Sequence, residues 1–473
     1  MQVPQCDLPL PFCIQHSSFC TVRVLLLTWD FPPARGGIQT WMLELARRLP
    51  DARVHVLAPA QRGDREFDRS SGVQVSRLAS ARLGLWAWLA ALCLRTIWYC
   101  LVDRPDLVVC GHVVTAPAGL LARRLLGIRY AVFTYGYEVR RRRWKRLLGL
   151  MLRGASAVAA CSRFTREAVV ALGVQPERIH VVYPGVDAAR FAPAGNGDFS
   201  TSPLSPPSPR TWRGGQGVRQ PEASSQEQEE KRTEAWRSGQ GVRPSGAPSE
   251  EMEERTDTSR GPSPPIPLST YVERGGERVR MLLSVARLAE LYKGHDTLIR
   301  VLPLVRARCP GTRLRVAGDG PLREYLHRIA KSVGVDDAVE FLGEVADDSL
   351  PELYRTSDAF VLMSRESPSK GGAEGFGIVC LEAAACEKPV VAGRSGGLVD
   401  AVEDGVTGIL VDPEDPAAVA EALIAVLSDS ALAERMGQAG RERVLARFTW
   451  EKVIGDARRV FEEAVGKGSR VPA

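Results

Sequence analysis

The chain has no CxxC pair and no His/Cys spacing suited to zinc, although it carries 10 Cys. That excludes a zinc module and a disulfide-stapled scaffold. Cys93, Cys100, Cys110 and Cys380 lie in apolar surroundings and read as reduced core thiols of a cytosolic protein. A complete G-x-G-x-x-G is missing too. The apolar run 22–28 reads as a buried strand. It is followed by the loop Trp29-Asp30-Phe31-Pro32-Pro33-Ala34-Arg35-Gly36-Gly37 and a helix at 38–49. The next strand, 53–58, runs into Pro59 with no acidic residue to hold a ribose, which argues against a nicotinamide dinucleotide site. Residues 1–21 lack the basic start of a signal peptide and read as a disordered leader. No uncharged apolar run reaches the ~20 residues of a membrane span. The nearest, 83–102, is interrupted by Arg95 and ended by Asp103-Arg104-Pro105, so it reads as a buried or interface-seeking helix. The net charge of +6 is a mild excess. It suits an anionic ligand or an anionic membrane surface without choosing between them. No nucleic-acid partner is expected.

What is present is strand–helix alternation in a chain of 473 residues, long enough for two domains with separate cores. Strands are expected at 106–110, 130–134 and 157–160, with Ser162 capping a helix at 163–172. In the second part, strands are expected at 279–285, 314–317 and 359–363. The whole is organised around Glu374-Gly375-Phe376-Gly377-Ile378-Val379-Cys380-Leu381-Glu382. A Gly-rich loop opening a helix is an anion site, because the first helical N–H groups lack partners and the dipole is positive there. Gly375 and Gly377 allow close approach to the backbone. Glu374 would lie near whatever the anion carries, and Glu382 would accept hydrogen bonds from hydroxyls. A phosphate between two such carboxylates describes a sugar nucleotide. An ordinary crossover with incidental glutamates fits the spacing equally well. Arg287 and Lys293, on a loop ending in Gly294, suit a diphosphate.

The stretch 374–382 closely resembles the E-x7-E motif of retaining glycosyltransferases of family 4. Val391-Ala392-Gly393-Arg394-Ser395-Gly396-Gly397 is similar to that family's next donor loop. Arg287-Leu288-Ala289-Glu290-Leu291-Tyr292-Lys293-Gly294-His295-Asp296 resembles its R-L-x-x-x-K-G-x-D pattern with one extra residue. Pro184-Gly185-Val186-Asp187 with Phe191 resembles its interdomain signature. The resemblance covers about 22–465 apart from one insert. It implies an α/β fold of the GT-B type, two Rossmann-like domains facing across a cleft. The domains would be 22–191 on the acceptor side and 279–448 on the donor side, with 449–473 a helix crossing back plus a tail.

The resemblance also assigns roles. Glu374 contacts the donor sugar and Glu382 the ribose, with Gly375, Phe376, Gly377 and Ile378 in the donor loop. Arg287 and Lys293 neutralise the leaving diphosphate. Val345 lies in a segment whose backbone reads the nucleobase, and Gly37 in a loop beside the reacting sugar. Tyr135 stands where many members have a His near the donor sugar. It can hydrogen-bond but cannot act as a neutral imidazole. The implied reaction transfers a hexose from a nucleotide-diphosphate sugar, retaining the anomeric configuration by front-face attack. There is no Asp-x-Asp motif, and no metal or other cofactor is expected. The nearest likeness is to mannosyltransferases acting on phosphatidylinositol mannosides, so GDP-mannose is the first donor and a UDP-sugar the next. A sugar-nucleotide epimerase and a catalytically silent binding protein are the alternatives.

Residues 192–278 are rich in Pro, Ser, Gly, Arg, Gln and Glu and contain the near-repeat 212–219/236–243. Such composition cannot bury enough apolar surface to offset chain entropy, and disorder is expected. Deleting about 195–275 should therefore leave folding and turnover intact, the shorter connection changing loop entropy by only ~1 kcal/mol. Solubility and steady-state rates of the deletion variant check this, and an inactive variant contradicts it. Lastly, Arg140, Arg141, Arg142, Arg143 and Trp144 precede an apolar stretch, 147–152. Cations, a Trp and a Leu face together suit an anionic membrane surface. A peripheral enzyme on the inner face of the cytoplasmic membrane is expected, with a lipid-linked or glycan acceptor.

Overall fold

The computed structural model describes residues 22–78, 84–140, 145–193, 279–367 and 372–466. Strand β1 (Val22–Leu27) is almost wholly apolar and its last four residues are buried. A strand covered on both faces needs apolar side chains on both, which is why this run lacks the alternation of a half-exposed strand. It is followed by β2 (Ala52–Pro59), β3 (Gln74–Leu78), β4 (Leu107–Cys110), β5 (Tyr130–Thr134), β6 (Ala157–Ala160) and β7 (Ile179–Val181). They form one parallel sheet in the order β3-β2-β1-β4-β5-β6-β7. The edge strands β3 and β7 have no apolar run to announce them; at an edge, polar side chains reach solvent without cost.

The N-terminal helices are α1 (Gly37–Arg48), α2 (Asp64–Ser71), α3 (Leu85–Val102), α4 (Ala116–Leu126), the short α5 (Tyr137–Arg140), α6 (Lys145–Gly154) and α7 (Arg163–Val170). Residues of α3, α4, α6 and α7 share one buried cluster with the sheet. Those of α1 share another. The sheet is thus covered on both faces.

A second parallel sheet is built from β8 (Arg280–Val285), β9 (Thr312–Ala317), β10 (Val339–Gly343), β11 (Ala359–Leu362), β12 (Val390–Gly393) and β13 (Gly408–Val411), in the order β10-β9-β8-β11-β12-β13. Its helices are α8 (His295–Arg308), α9 (Arg323–Ser332), α10 (Leu350–Arg355), α11 (Ile378–Ala385), α12 (Leu398–Ala401), α13 (Pro416–Ser428) and α14 (Ser430–Arg447). The last helix, α15 (Trp450–Val465), returns to the first sheet. Its buried Val453, Ile454, Ala457, Val460 and Phe461 join the cluster of Val24, Leu26 and Phe133. The crossing is pinned where Val186 bridges Thr449 and where Gly185 leaves room for Trp450, since a Cβ there would lie 2.5 Å from the indole.

In each sheet the strand order reverses beside the first strand, between β1 and β4 and between β8 and β11. At such a point the following loops part to opposite sides and leave a crevice at the strands' carboxyl ends. The expected leader, 1–21, and nearly all of the expected insert, from 194 onward, lie outside the described residues.

Candidate active site

The loop after β8 carries Arg287 and Lys293, and the loop after β11 carries Glu374. The switch crevice of the second sheet therefore brings them together. Lys293 Nζ donates to Glu374 Oε2 at 2.6 Å, both side chains largely buried. Burial, the largest influence on Lys293, favours the neutral amine. The Glu374 carboxylate, joined by Tyr292 and Glu290, outweighs it and holds the amine above its ordinary value. Gly294 turns the chain into α8 at φ 76°, with Met363 O only 1.9 Å from where a Cβ would sit. Only glycine fits there. Behind it, Arg365 binds both oxygens of Asp296 at 3.0 Å, and this fork braces the loop after β11 against α8.

His295 is buried at the start of α8, and its Nε2 has no hydrogen-bond partner among the described residues. Burial lowers its pKa from 6.5 to about 4. The unfolded chain therefore takes up a proton below about pH 6.5 that the folded chain refuses until about pH 4. Stability contributed by the neutral ring is lost as pH falls through that window, by about 3 kcal/mol in all. Unfolding midpoints measured from pH 7 to pH 4 should show that loss. His295→Leu should flatten it, and an unchanged slope in that variant would contradict the assignment.

Glu374 and Gly375 lead into α11, whose N-cap Gly377 has φ 92°. The N-terminus of α11 thus opens beside Lys293. Glu382, on α11, is half-buried, and burial pushes its carboxyl up. Tyr354 OH donates to its Oε2 at 2.7 Å and fixes its direction. Ser395 to Gly397 close the far side: Gly397 N donates to Glu374 O at 2.8 Å, and side chains at 396 or 397 would collide with the backbone at Glu374 and Gly375. Val345 is half-buried on the loop after β10. Phe376 departs from a donor contact. Its ring is buried 5.4 Å from Tyr183 and 5.8 Å from Phe448, in an aromatic cluster at the interdomain crossing, so only its backbone faces the loop.

The N-terminal crevice meets this loop directly. A Cβ on Gly37 would lie 2.8 Å from Ile378 Cδ1, and one on Gly375 only 2.1 Å from Tyr135 O. Cys161 Sγ donates to Gly375 O at 3.3 Å. A clasp that the sequence did not reveal holds the two sides: the Asp400 carboxylate is buried and accepts from Arg163 N at 2.6 Å and Nε at 2.5 Å.

Tyr135 is corrected. Its hydroxyl turns away from Glu374 and donates to Gly111 O at 2.9 Å, with Met42 Sδ at 3.8 Å, and burial pushes the phenol well above its ordinary value. What Tyr135 offers the loop is its carbonyl. Arg140 reaches Glu366 Oε2 at 2.7 Å and lies over the Phe164 ring at 4.7 Å, so its guanidinium is shared between a carboxylate and an aromatic face. Arg141, Arg142, Arg143 and Trp144 lie outside the described residues.

Sequence reasoning missed Asp30 and His112, which flank the β1/β4 switch point. The His112 ring stacks on Tyr135 at 6.1 Å, and its Nδ1 accepts from Val114 N at 3.1 Å. Burial raises the Asp30 carboxyl, against the pull of His112 and of Arg287 from the opposite domain. Their signal was position, at the carboxyl ends of the two strands where the order reverses. Among the described residues no group of three or more His, Cys, Asp or Glu could hold a metal ion.

Comparison with known proteins agrees with this geometry. Residues 35–190 match the family model described as Glycosyltransferase Family 4, and residues 273–443 the model described as Glycosyl transferases group 1. The GDP-mannose-dependent alpha-(1-6)-phosphatidylinositol monomannoside mannosyltransferase of Mycobacterium tuberculosis is 31% identical over 444 residues, 91% of this chain and 95% of that protein. The chain belongs to glycosyltransferase family 4.

Solved structures show the same GT-B fold for this transferase. A glycosyltransferase from Rickettsia africae superposes with a TM-score of 0.66 at 17% identity, covering 95% of this chain and 100% of that one. Anabaena HepE, crystallised with UDP and glucose, does so at 0.64 and 18% identity, covering 93% and 99%. The GT-B transferase assignment accounts for the two facing crevices. It leaves the choice of sugar and acceptor to the site.

Proposed function

We propose that this transferase moves mannose from GDP-mannose to a phosphatidylinositol mannoside-type lipid, retaining the anomeric configuration, as a peripheral enzyme on the cytoplasmic face of the membrane. The observation that carries the chemistry is the Lys293–Glu374 pair at 2.6 Å beside the N-terminus of α11. A departing diphosphate there meets Lys293, Arg287 and unpartnered helix N–H groups, which stabilise charge as it develops. The acceptor oxygen bonds to the anomeric carbon as the carbon–phosphate oxygen bond breaks. The leaving diphosphate takes the acceptor's proton on the same face. Glu374 orients the sugar and Glu382 the ribose. The donor and acceptor rest on the activity for which the mycobacterial relatives are named, and these align with nearly the whole chain.

The test offers the purified protein radiolabelled GDP-mannose, UDP-glucose and UDP-galactose, each with a dispersed phosphatidylinositol mannoside or a soluble glycan. The expected result is label in the lipid from GDP-mannose alone, released GDP, and an α-linked product by NMR. Transfer from a UDP-sugar overturns the donor, transfer only to the glycan overturns the acceptor, and a β-linked product overturns retention.

A further inference from the structure

Helix α3 has apolar residues all round, and such a helix is ordinarily enclosed by its own protein or by lipid. Here one stripe is enclosed: Trp88, Leu92, Thr96 and Tyr99 pack on the N-terminal sheet. The opposite stripe is not. Leu94 is 74% exposed, and Trp98 and Leu101, one and two turns further on, are 47% and 59% exposed. Composition and length would let α3 cross a membrane, with a mean hydropathy of 1.6. Its packed stripe and Arg95 fit a helix lying on a surface instead. The Arg95 guanidinium sits 4.4 Å from the Trp98 ring centre, a cation over an aromatic face.

The neighbouring helices continue this face. They pack against the same side of the sheet, α4 beside α3 and α6 beside α4. Leu125, Leu147 and Leu150 on them are exposed as well. Between α4 and α6 lies a groove of about 430 Å³ with Leu120 and Leu150 in its wall and the side chains of Arg123, Arg124 and Arg153 around it. None of the three helices contains an Asp or Glu, while they carry Arg95, Arg123, Arg124, Lys145, Arg146 and Arg153. Soluble surfaces ordinarily intersperse both signs. Apolar side chains among cations of a single sign, with an interfacial Trp, match a bilayer bearing anionic headgroups.

We propose that the outer face of α3, α4 and α6 is the surface on which the enzyme docks to an anionic phospholipid bilayer. Leu94, Trp98 and Leu101 enter the headgroup boundary, and the arginines around the α4/α6 groove meet lipid phosphates. The inference rests on the reading that the acceptor is a membrane lipid, and it puts the contact on helix faces rather than on the Arg140 end of the basic run, where Arg140 is held by Glu366. The face belongs to the N-terminal domain alone, and neither Lys293 nor Glu374 is part of it.

The test is flotation of the full chain with vesicles of phosphatidylcholine alone or mixed with phosphatidylglycerol, at low and high salt. Wild type should float with the anionic vesicles. Replacing Leu94, Trp98 and Leu101 with Ser should lower the bound fraction about tenfold or more. Arg123→Gln with Arg124→Gln should remove much of the salt-sensitive part. Trp98→Phe should keep binding while losing part of the quenching of tryptophan emission by brominated lipid. Turnover on a detergent-dispersed acceptor should survive in all these variants. The inference is overturned if wild type stays unbound, if the Ser variant floats as wild type does, or if the substitutions instead abolish a concentration-dependent dimer. Vesicle binding that follows these predictions, with no transfer to any lipid, would retain the docking face and remove the lipid acceptor. Transfer to dispersed lipid without vesicle binding would do the reverse.

Discussion

Lys293→Ala is expected to lower kcat by about 10²-fold or more, the loss typical of removing a charge that meets the transition state. Lys293 Nζ lies 2.6 Å from Glu374 Oε2, and both side chains are largely buried. In the resting site each charge is the other's partner. For a diphosphate leaving at the start of α11, this amine would be a cation that burial keeps from being replaced by solvent ions. Removing it therefore leaves an unpaired carboxylate in a half-closed crevice and a leaving group short of one positive contact. Glu374→Ala should cost a similar factor, because Lys293 then loses the group that directs it and the sugar loses its carboxylate. The two losses should not multiply, since the residues act as one unit. Steady-state rates at saturating donor for both single variants and the double, with unfolding midpoints alongside, check this. Near-wild-type turnover in both single variants would remove the pair from the mechanism.

Gly375→Ala should be nearly as damaging by a different route. A methyl at this position would lie 2.1 Å from Tyr135 O, an atom of the backbone that cannot swing aside. The clash lies between the domains rather than inside either core, so both sheets should still fold. What is lost is the approach of the Glu374 loop to the N-terminal crevice. Misplacing reacting groups by about 1 Å costs on the order of 10²-fold, and that is the drop expected in kcat. The Arg163–Asp400 clasp works against the opening, because the Asp400 carboxylate is buried and loses its partners if the domains part. Small-angle scattering should show a larger radius of gyration for the variant, with an unchanged unfolding midpoint. Full activity and an unchanged radius would mean that this contact is no part of the working arrangement.

Much of the site was legible because its chemistry is local. The run 374–382 carries its own helix start, glycines and carboxylates, so proximity in sequence is proximity in space. Arg287 and Lys293 were legible for the same reason, on one loop ending in Gly294. Directions were less so. Tyr135 and Phe376 sit in recognisable stretches, yet the Tyr135 hydroxyl bonds Gly111 O and the Phe376 ring packs on Tyr183. Which way a large side chain turns depends on partners that the sequence places far away. Arg140 likewise has Glu366 as its partner, more than 200 positions later.

The sequence by itself determined the alternation of strands and helices, the glycine turn at Gly375–Gly377 that opens a helix, and the resemblance that the family assignment upheld. Those features rest on apolar periodicity, glycine geometry and short-range order, all written within a few turns of chain. Only the tertiary structure decided which loops meet. The reversal of strand order set Lys293 against Glu374, 81 positions apart, and in the facing sheet Asp30 beside His112, at the ends of strands that are not neighbours in sequence. It also decided that one side of α3 packs on the sheet while the other, equally apolar, faces outward. Composition cannot distinguish the two sides of a helix that is apolar all round. Only the neighbour that covers one of them can.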